Sequence, residues 1–206
     1  MARRLVSILF ERLIARKLWA AWRGCIEAAA VPGCGGIAFL GDSLTHNARW
    51  ELLFPDRATR NFGIGGERSE HLLLRLDPLI SIRPEKMFIL IGSNDLAAGR
   101  TVEEVCTDVE SLLERLQSAL PGCPLYLQTV IPRSRKLAER IRELNRRYAE
   151  IAARRGVPLI DLFPALDDGA GLLKKEYTYD AIHLTGAGYR VWRDILEPHI
   201  AAGAAR

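Results

Sequence analysis

The sequence predicts an α/β protein, a three-layer α/β/α sandwich built on a five-stranded parallel sheet. Three observations predict it. From Ile37 onward, short apolar runs alternate with amphipathic stretches, so strands are joined by helical crossovers. The runs are continuous, as in "KMFILI" at Lys86–Ile91, which fits strands covered on both faces. The chain has 206 residues, 49% hydrophobic and 26% charged, the balance of one soluble domain with a full core.

The elements follow in order. Ile37–Leu40 reads as a short buried strand, and Leu44–Phe54 as a helix. Thr59–Phe62 reads as a second strand and Ser69–Leu76 as a helix. Lys86–Ile91 is the third strand. Thr101–Leu120 is a helix with Val102, Val105, Val109, Leu112, Leu113 and Leu116 on one face. Thr101 and Glu104 form a capping-box signature at its start, and Pro121-Gly122 ends it. Leu125–Ile131 is the fourth strand, Leu137–Arg154 a charged amphipathic helix, Val157–Leu162 the fifth strand and Gly188–Ile200 a final helix.

Ahead of this domain, residues 1–36 read as a basic amphipathic extension ending in the Gly-rich linker "VPGCGG", with the domain itself at 37–206. The apolar run Leu5–Phe10 is too short for a signal-peptide core or a membrane span. As a helix, Leu5, Val6, Leu9, Phe10 and Leu13 would share a face beside Arg12, Arg16 and Lys17. That pattern suits packing on the domain or a partner subunit, with peripheral membrane contact through residues 1–24 as the alternative.

Charge and cysteines exclude several classes. A net charge of +4, interspersed along the chain, gives no footprint for nucleic acid. Cys25, Cys34, Cys106 and Cys123 form no C-x-x-C pair, and no histidine joins them at metal-ligand spacing. No metal or other cofactor is expected. Cys106 falls on the apolar stripe of its helix and reads as a buried thiol. Nothing demands an oxidising compartment, so the expected location is the cytoplasm, with or without membrane association.

In parallel α/β sheets, ligands bind beyond the carboxyl ends of the strands, so the residues just after each strand carry the functional signal. The first strand runs into "GDSLT", the second into "NFGIGGE", the third into "GSND" and the fourth into "IPRSRK", and "YDAIHLTGAGY" follows the fifth. Ser43 reads either as a helix cap or as a nucleophile, since both use the same residue type at the same turn. If Ser43 is the nucleophile, its own N–H at a helix start can hold a negative oxygen. Asp180 and His183, three apart, can point the same way on a helical turn and form an acid–base pair. Gly66 can present an N–H, and Asn94 has an amide donor. "GIGGER" fails as a dinucleotide loop, because Arg68 stands where the third glycine should be. His46, His71 and His199 lie on predicted helices outside these blocks.

The set resembles the SGNH hydrolases, the GDSL family of esterases and lipases. Its blocks match "GDSL" at Gly41–Leu44, "NFGIGG" at Asn61–Gly66, "GSND" at Gly92–Asp95 and "DAIHL" at Asp180–Leu184, in the right order over roughly residues 37 to 200. Within the family, "NFGIGG" and "HLTGAGY" look most like the platelet-activating-factor acetylhydrolase catalytic-subunit branch. The resemblance implies a flavodoxin-like fold and metal-free hydrolysis of esters or thioesters. It implies Ser43 as nucleophile, Asp180 and His183 as its partners, and an oxyanion hole of Ser43, Gly66 (or Gly65) and Asn94. Asp42 and Asp95 would be supporting residues. The expected activity is a serine esterase on acetyl or other short acyl groups. Longer-chain thioesters or lysophospholipids, and a silent scaffold that binds a membrane or partner, are the alternatives. The acetylhydrolase likeness is compatible with a homodimer. Arg68 and Arg133, at the expected site mouth, read first as residues of a solvated loop and helix start, with the binding of an anionic substrate as the alternative.

Overall fold

The computed structural model describes residues 17–201. The face formed by Leu5, Val6, Leu9, Phe10 and Leu13 lies outside the described residues. A first helix, α1, occupies residues 17–29. There follow β1 (Ile37–Gly41), α2 (Ser43–Asn47), α3 (Trp50–Leu53), β2 (Thr59–Gly63), α4 (Ser69–Leu73), α5 (Leu76–Ser81) and β3 (Lys86–Leu90). After them come α6 (Ser93–Ala97), α7 (Val102–Ala119), β4 (Leu125–Gln128), α8 (Ala138–Arg155), β5 (Leu159–Ile160), α9 (Phe163–Leu166) and α10 (Gly186–Ala201). Among the described residues, no helix is long and apolar enough to cross a membrane.

The five strands form one sheet in the order β2-β1-β3-β4-β5, and every pair is parallel. The pleat sends alternate side chains to opposite faces. Ala38, Leu40, Met87, Ile89, Leu125 and Leu127 pack under α4, α5, α7 and α8. Ile37, Phe39, Phe88 and Leu90 pack under α2, α3, α9 and α10. Both faces are therefore apolar, which is why the strands read as unbroken runs. On the second face Trp50 stacks on Phe39 (ring centroids 3.7 Å apart), and Phe39 stacks on Phe88 in turn.

The capping box of α7 is present, with Thr101 Oγ1 accepting from Glu104 N and a Glu104 carboxylate oxygen accepting from Thr101 N. Cys106 is buried, and its burial pushes the thiol up to about 11. Two helix expectations need correction. The single helix expected over Leu44–Phe54 is broken at Ala48–Arg49 into α2 and α3. No glycine or proline breaks it. Instead the indole N–H of Trp50 donates to Thr45 O, and the Asn61 amide donates to His46 O and Ala48 O. Tertiary donors thus capture carbonyls that a continuous helix would use itself. Likewise the helix expected over Ser69–Leu76 splits into α4 and α5, which begins only at Leu76.

The fold positions the site through its strand order. The chain leaves β1 toward β2 on one side, while β3 pairs on the other, so a crevice opens at the carboxyl ends of β1 and β3. Ser43 follows β1 and Asn94 follows β3.

Candidate active site

At the end of β1, Asp42 is the N-cap of α2, and its Oδ1 accepts from Leu44 N at 3.0 Å. Asp42 thus takes the capping role that the sequence left open to Ser43. Ser43 is the first residue of α2, and its hydroxyl lies 3.0 Å from His183 Nε2. The other ring nitrogen, Nδ1, lies 2.6 Å from Asp180 Oδ2. A carboxylate only accepts, so Nδ1 carries the hydrogen and Nε2 presents its lone pair to the Ser43 hydroxyl. α2 has five residues, so the Ser43 N–H matters as a local donor rather than as the end of a long dipole.

Asp180 and His183 meet without the expected helical turn. Asp180 Oδ1 accepts from the backbone N–H groups of Ile182 (2.9 Å) and His183 (2.7 Å), an Asx-type turn. Ala181 between them sits at φ 65°, a left-handed conformation unusual for alanine. Thr178 pairs with Leu184 as an isolated antiparallel bridge and clamps the loop, and the Thr178 hydroxyl donates to His183 O at 2.7 Å. The backbone N–H of His183, above all, holds the Asp180 carboxyl down to about 2, with the imidazole contributing. Asp180 is thus an anion at neutral pH. The Tyr179 ring, largely exposed, lies beside His183 with centroids 5.9 Å apart.

On the other side of Ser43, the segment Ile64–Glu67 is a tight turn closed by Glu67 N donating to Ile64 O at 3.2 Å. Gly66 is its third residue at φ 75°, the position at which a type II turn demands glycine. A Cβ at Gly66 would meet nothing within 4 Å, so the backbone angle and not crowding requires glycine here. Gly63 is the opposite case: a Cβ there would lie 2.2 Å from His46 N. That close approach brings α2 against the end of β2. His46 Nδ1 bonds Gly63 O at 3.0 Å and its ring faces Trp22, so it does not serve Ser43.

Asn94, in α6, ties these pieces together. Its Nδ2 donates to Glu67 O at 3.0 Å and to Asp42 Oδ2 at 3.3 Å. It therefore straddles the residues adjoining Ser43 and Gly66. Asp42 is almost wholly buried, and burial pushes its carboxyl up to about 7 against the opposing pull of the Leu44 N–H and Arg133. Asp95 is buried and accepts from Ser69 N and from Arg100, which fixes α4 behind the turn. Both aspartates act as cross-braces between segments.

The two arginines considered for an anionic substrate have protein partners. Arg68 Nη2 pairs with Glu70 at 2.6 Å, and Arg133 Nη1 donates to Ser93 and Asn94. Sequence reasoning missed a buried pair directly behind the turn. Glu67 and Arg75 are both buried and joined by two side-chain hydrogen bonds, one of them Nε to Oε1 at 2.6 Å. Arg75 also donates to Phe62 O, and the Trp19 indole of α1 donates to Glu67 Oε1 at 3.2 Å. Charged residues in a short turn normally face solvent, so no local signal marked this pair.

Among the described residues, no three His, Cys, Asp or Glu side chains are placed to hold a metal ion. A cavity of about 720 Å³ opens at the other end of the sheet, lined by residues such as Arg57, Arg83, Lys86 and Cys123. None of the residues around Ser43 lines it.

The model of the GDSL-like Lipase/Acylhydrolase family matches residues 39–191. The platelet-activating factor acetylhydrolase IB subunit alpha1 of Bos taurus is 31% identical over 164 residues, covering 74% of this chain and 69% of the relative. The human alpha1 subunit is 30% identical over the same length, covering 74% of this chain and 70% of its own. A solved structure from Streptococcus pneumonia, provisionally assigned as a platelet activating factor, superposes with TM-score 0.87 at 26% identity. It covers 95% of this chain and 99% of its own, a share that requires residues ahead of Ile37. The acetyl xylan esterase AlAXEase shares the fold, with TM-score 0.69 at 20% identity over 80% of this chain and 98% of its own. The chain therefore belongs to the GDSL-like lipase/acylhydrolase family, the SGNH hydrolases, and is an ester hydrolase.

Proposed function

We propose that the chain is a serine esterase that removes acetyl or other short acyl groups, with Ser43 as nucleophile, His183 as base and Asp180 as the orienting anion. The observation that carries the reading is the His183 ring bridging Ser43 Oγ at 3.0 Å and Asp180 Oδ2 at 2.6 Å. His183 Nε2 takes the Ser43 proton as Oγ attacks the acyl carbonyl carbon. The charge on the carbonyl oxygen is held by the Ser43 N–H, the Gly66 N–H and the Asn94 amide, whose longer hydrogen bond, 3.3 Å to Asp42 Oδ2, gives way to the oxyanion. Collapse breaks the bond to the alcohol oxygen, which takes the proton back from His183. Water, deprotonated by the same ring, then attacks the acyl-enzyme carbonyl and releases the acid.

One feature supports Gly66 over Gly65: it occupies the third position of the turn, at φ 75°, whose N–H points away from the turn's own hydrogen bond. The short acyl group is supported by the relatives named as acetylhydrolases. Contact with a lipid surface is supported by α1, where Leu18 and Trp22 are 55% and 46% exposed on one face beside Lys17.

The test is a series of p-nitrophenyl esters from acetyl to palmitoyl, with matched thioesters. The largest kcat/KM is expected for acetate, and Ser43→Ala should abolish turnover. A maximum at long chains would move the reading to a lipase or lysophospholipase. A preference for thioesters would make the protein a thioesterase.

A further inference from the structure

We infer that Arg133 is a positioning residue that fixes and polarises the Asn94 amide, rather than a receptor for an anionic substrate. The inference rests on the reading of Asn94 as an oxyanion donor. Arg133 lies on the segment after β4 and reaches across to the start of α6. Its Nη1 lies 3.1 Å from Asn94 Oδ1, 3.0 Å from Ser93 Oγ and 3.2 Å from Ser93 O.

Two neighbours decide how the Asn94 amide is turned. A guanidinium has no acceptor, so the atom facing it must be oxygen. The Glu67 backbone carbonyl can only accept, so the atom facing it must be nitrogen. Without Arg133 the oxygen would lose the donor it has among the described residues, and only the acceptors on the nitrogen side would oppose a flip that turned the oxygen toward a developing anion. A flipped amide would repel the charge it now stabilises.

The contact also acts on the amide's strength as a donor. A cation at the carbonyl oxygen draws electron density from the nitrogen and makes both N–H groups better donors. The gain is greatest when the acceptor carries full negative charge, so it belongs to the transition state and falls on kcat rather than KM. Arg133 also joins the segments after β3 and β4, so the donor is held from two strand ends at once.

The experiment is a double-mutant cycle. kcat and KM are measured for wild type, Arg133→Met, Asn94→Ala and the double variant, with p-nitrophenyl acetate and with a sulfonated aryl acetate as the anionic ester. Asn94→Ala should lower kcat by about 10²–10³-fold. Arg133→Met should lower kcat by about tenfold on both esters, a fraction of that loss, with KM within about twofold. In the Asn94→Ala background, Arg133→Met should add nothing, because the group it acts through is gone. Arg133→Lys keeps a cation with donors for the same three acceptors and should recover kcat to within about threefold of wild type. It also guards against misfolding of the Met variant, since both are compared by thermal unfolding. Independent, additive losses from Arg133→Met and Asn94→Ala would overturn the inference and leave the esterase reading intact. So would a rise in KM confined to the anionic ester. A folded Asn94→Ala enzyme with wild-type kcat would overturn the oxyanion role of Asn94, and the inference with it.

Discussion

At the start of α2 two side chains are able to serve the unpaired backbone N–H groups, and Asp42 is the one that does so. That leaves the Ser43 hydroxyl to face His183. Asp42 carries a cost for its position, because burial lifts its carboxyl from 3.8 to about 7. The folded state therefore keeps a proton that the unfolded chain has released once the pH passes about 4. Between there and about 7 the native state binds more protons, so this residue's contribution falls as pH rises and levels off above about 7. Asp42→Asn has no proton to lose. Urea unfolding at pH 5 and pH 8 should show the wild type losing ground to Asp42→Asn by on the order of 2 kcal/mol between the two. A stability difference independent of pH would contradict this. The candidate residues themselves were legible one by one, since "GDSL", "NFGIGG", "GSND" and "DAIHL" carry them. What the sequence did not reveal is that Asp42 takes the cap, and that Ala181 adopts φ 65° to let Asp180 and His183 meet. Alanine gives no local sign of a left-handed angle.

At the scale of elements, β1, β3 and β4 were legible because each is a largely apolar run with a turn at its end, whereas β2, Thr59–Gly63, is largely polar. The break between α2 and α3 was not legible, because its cause is Trp50 and Asn61 reaching carbonyls across space. The last strand was read as Val157–Leu162 but pairs only over Leu159–Ile160. The Asp161 side chain turns there to Thr129 and Phe163 N, which ends the ladder. The Glu67–Arg75 pair was equally hidden, and it binds β2, the Gly66 turn and α1 into one unit. Arg75→Met leaves the Glu67 carboxylate buried with the Trp19 indole as its remaining side-chain donor among the described residues. It should cost about 3–5 kcal/mol in urea unfolding. Replacing both residues with apolar ones of similar size should recover much of that loss. A single variant within about 1 kcal/mol of wild type would mean the pair does not hold the turn.

For the whole molecule, the strand order does what no single segment does. Five residues from four loops become neighbours because β1 and β3 lie side by side at the point where the chain changes direction across the sheet. The cavity of about 720 Å³ at the opposite end has volume but none of this chemistry, so the size of a cavity does not locate the site. The account stands on one bond-making atom, the Oγ of Ser43. The direct measurement is reaction with a fluorophosphonate ester followed by peptide mass spectrometry. The account predicts one adduct, on the peptide that carries Ser43. It should be absent from Ser43→Ala and form far more slowly in His183→Ala. A folded protein that stays unlabelled at Ser43, or a Ser43→Ala variant that hydrolyses p-nitrophenyl acetate at the wild-type rate, would contradict it.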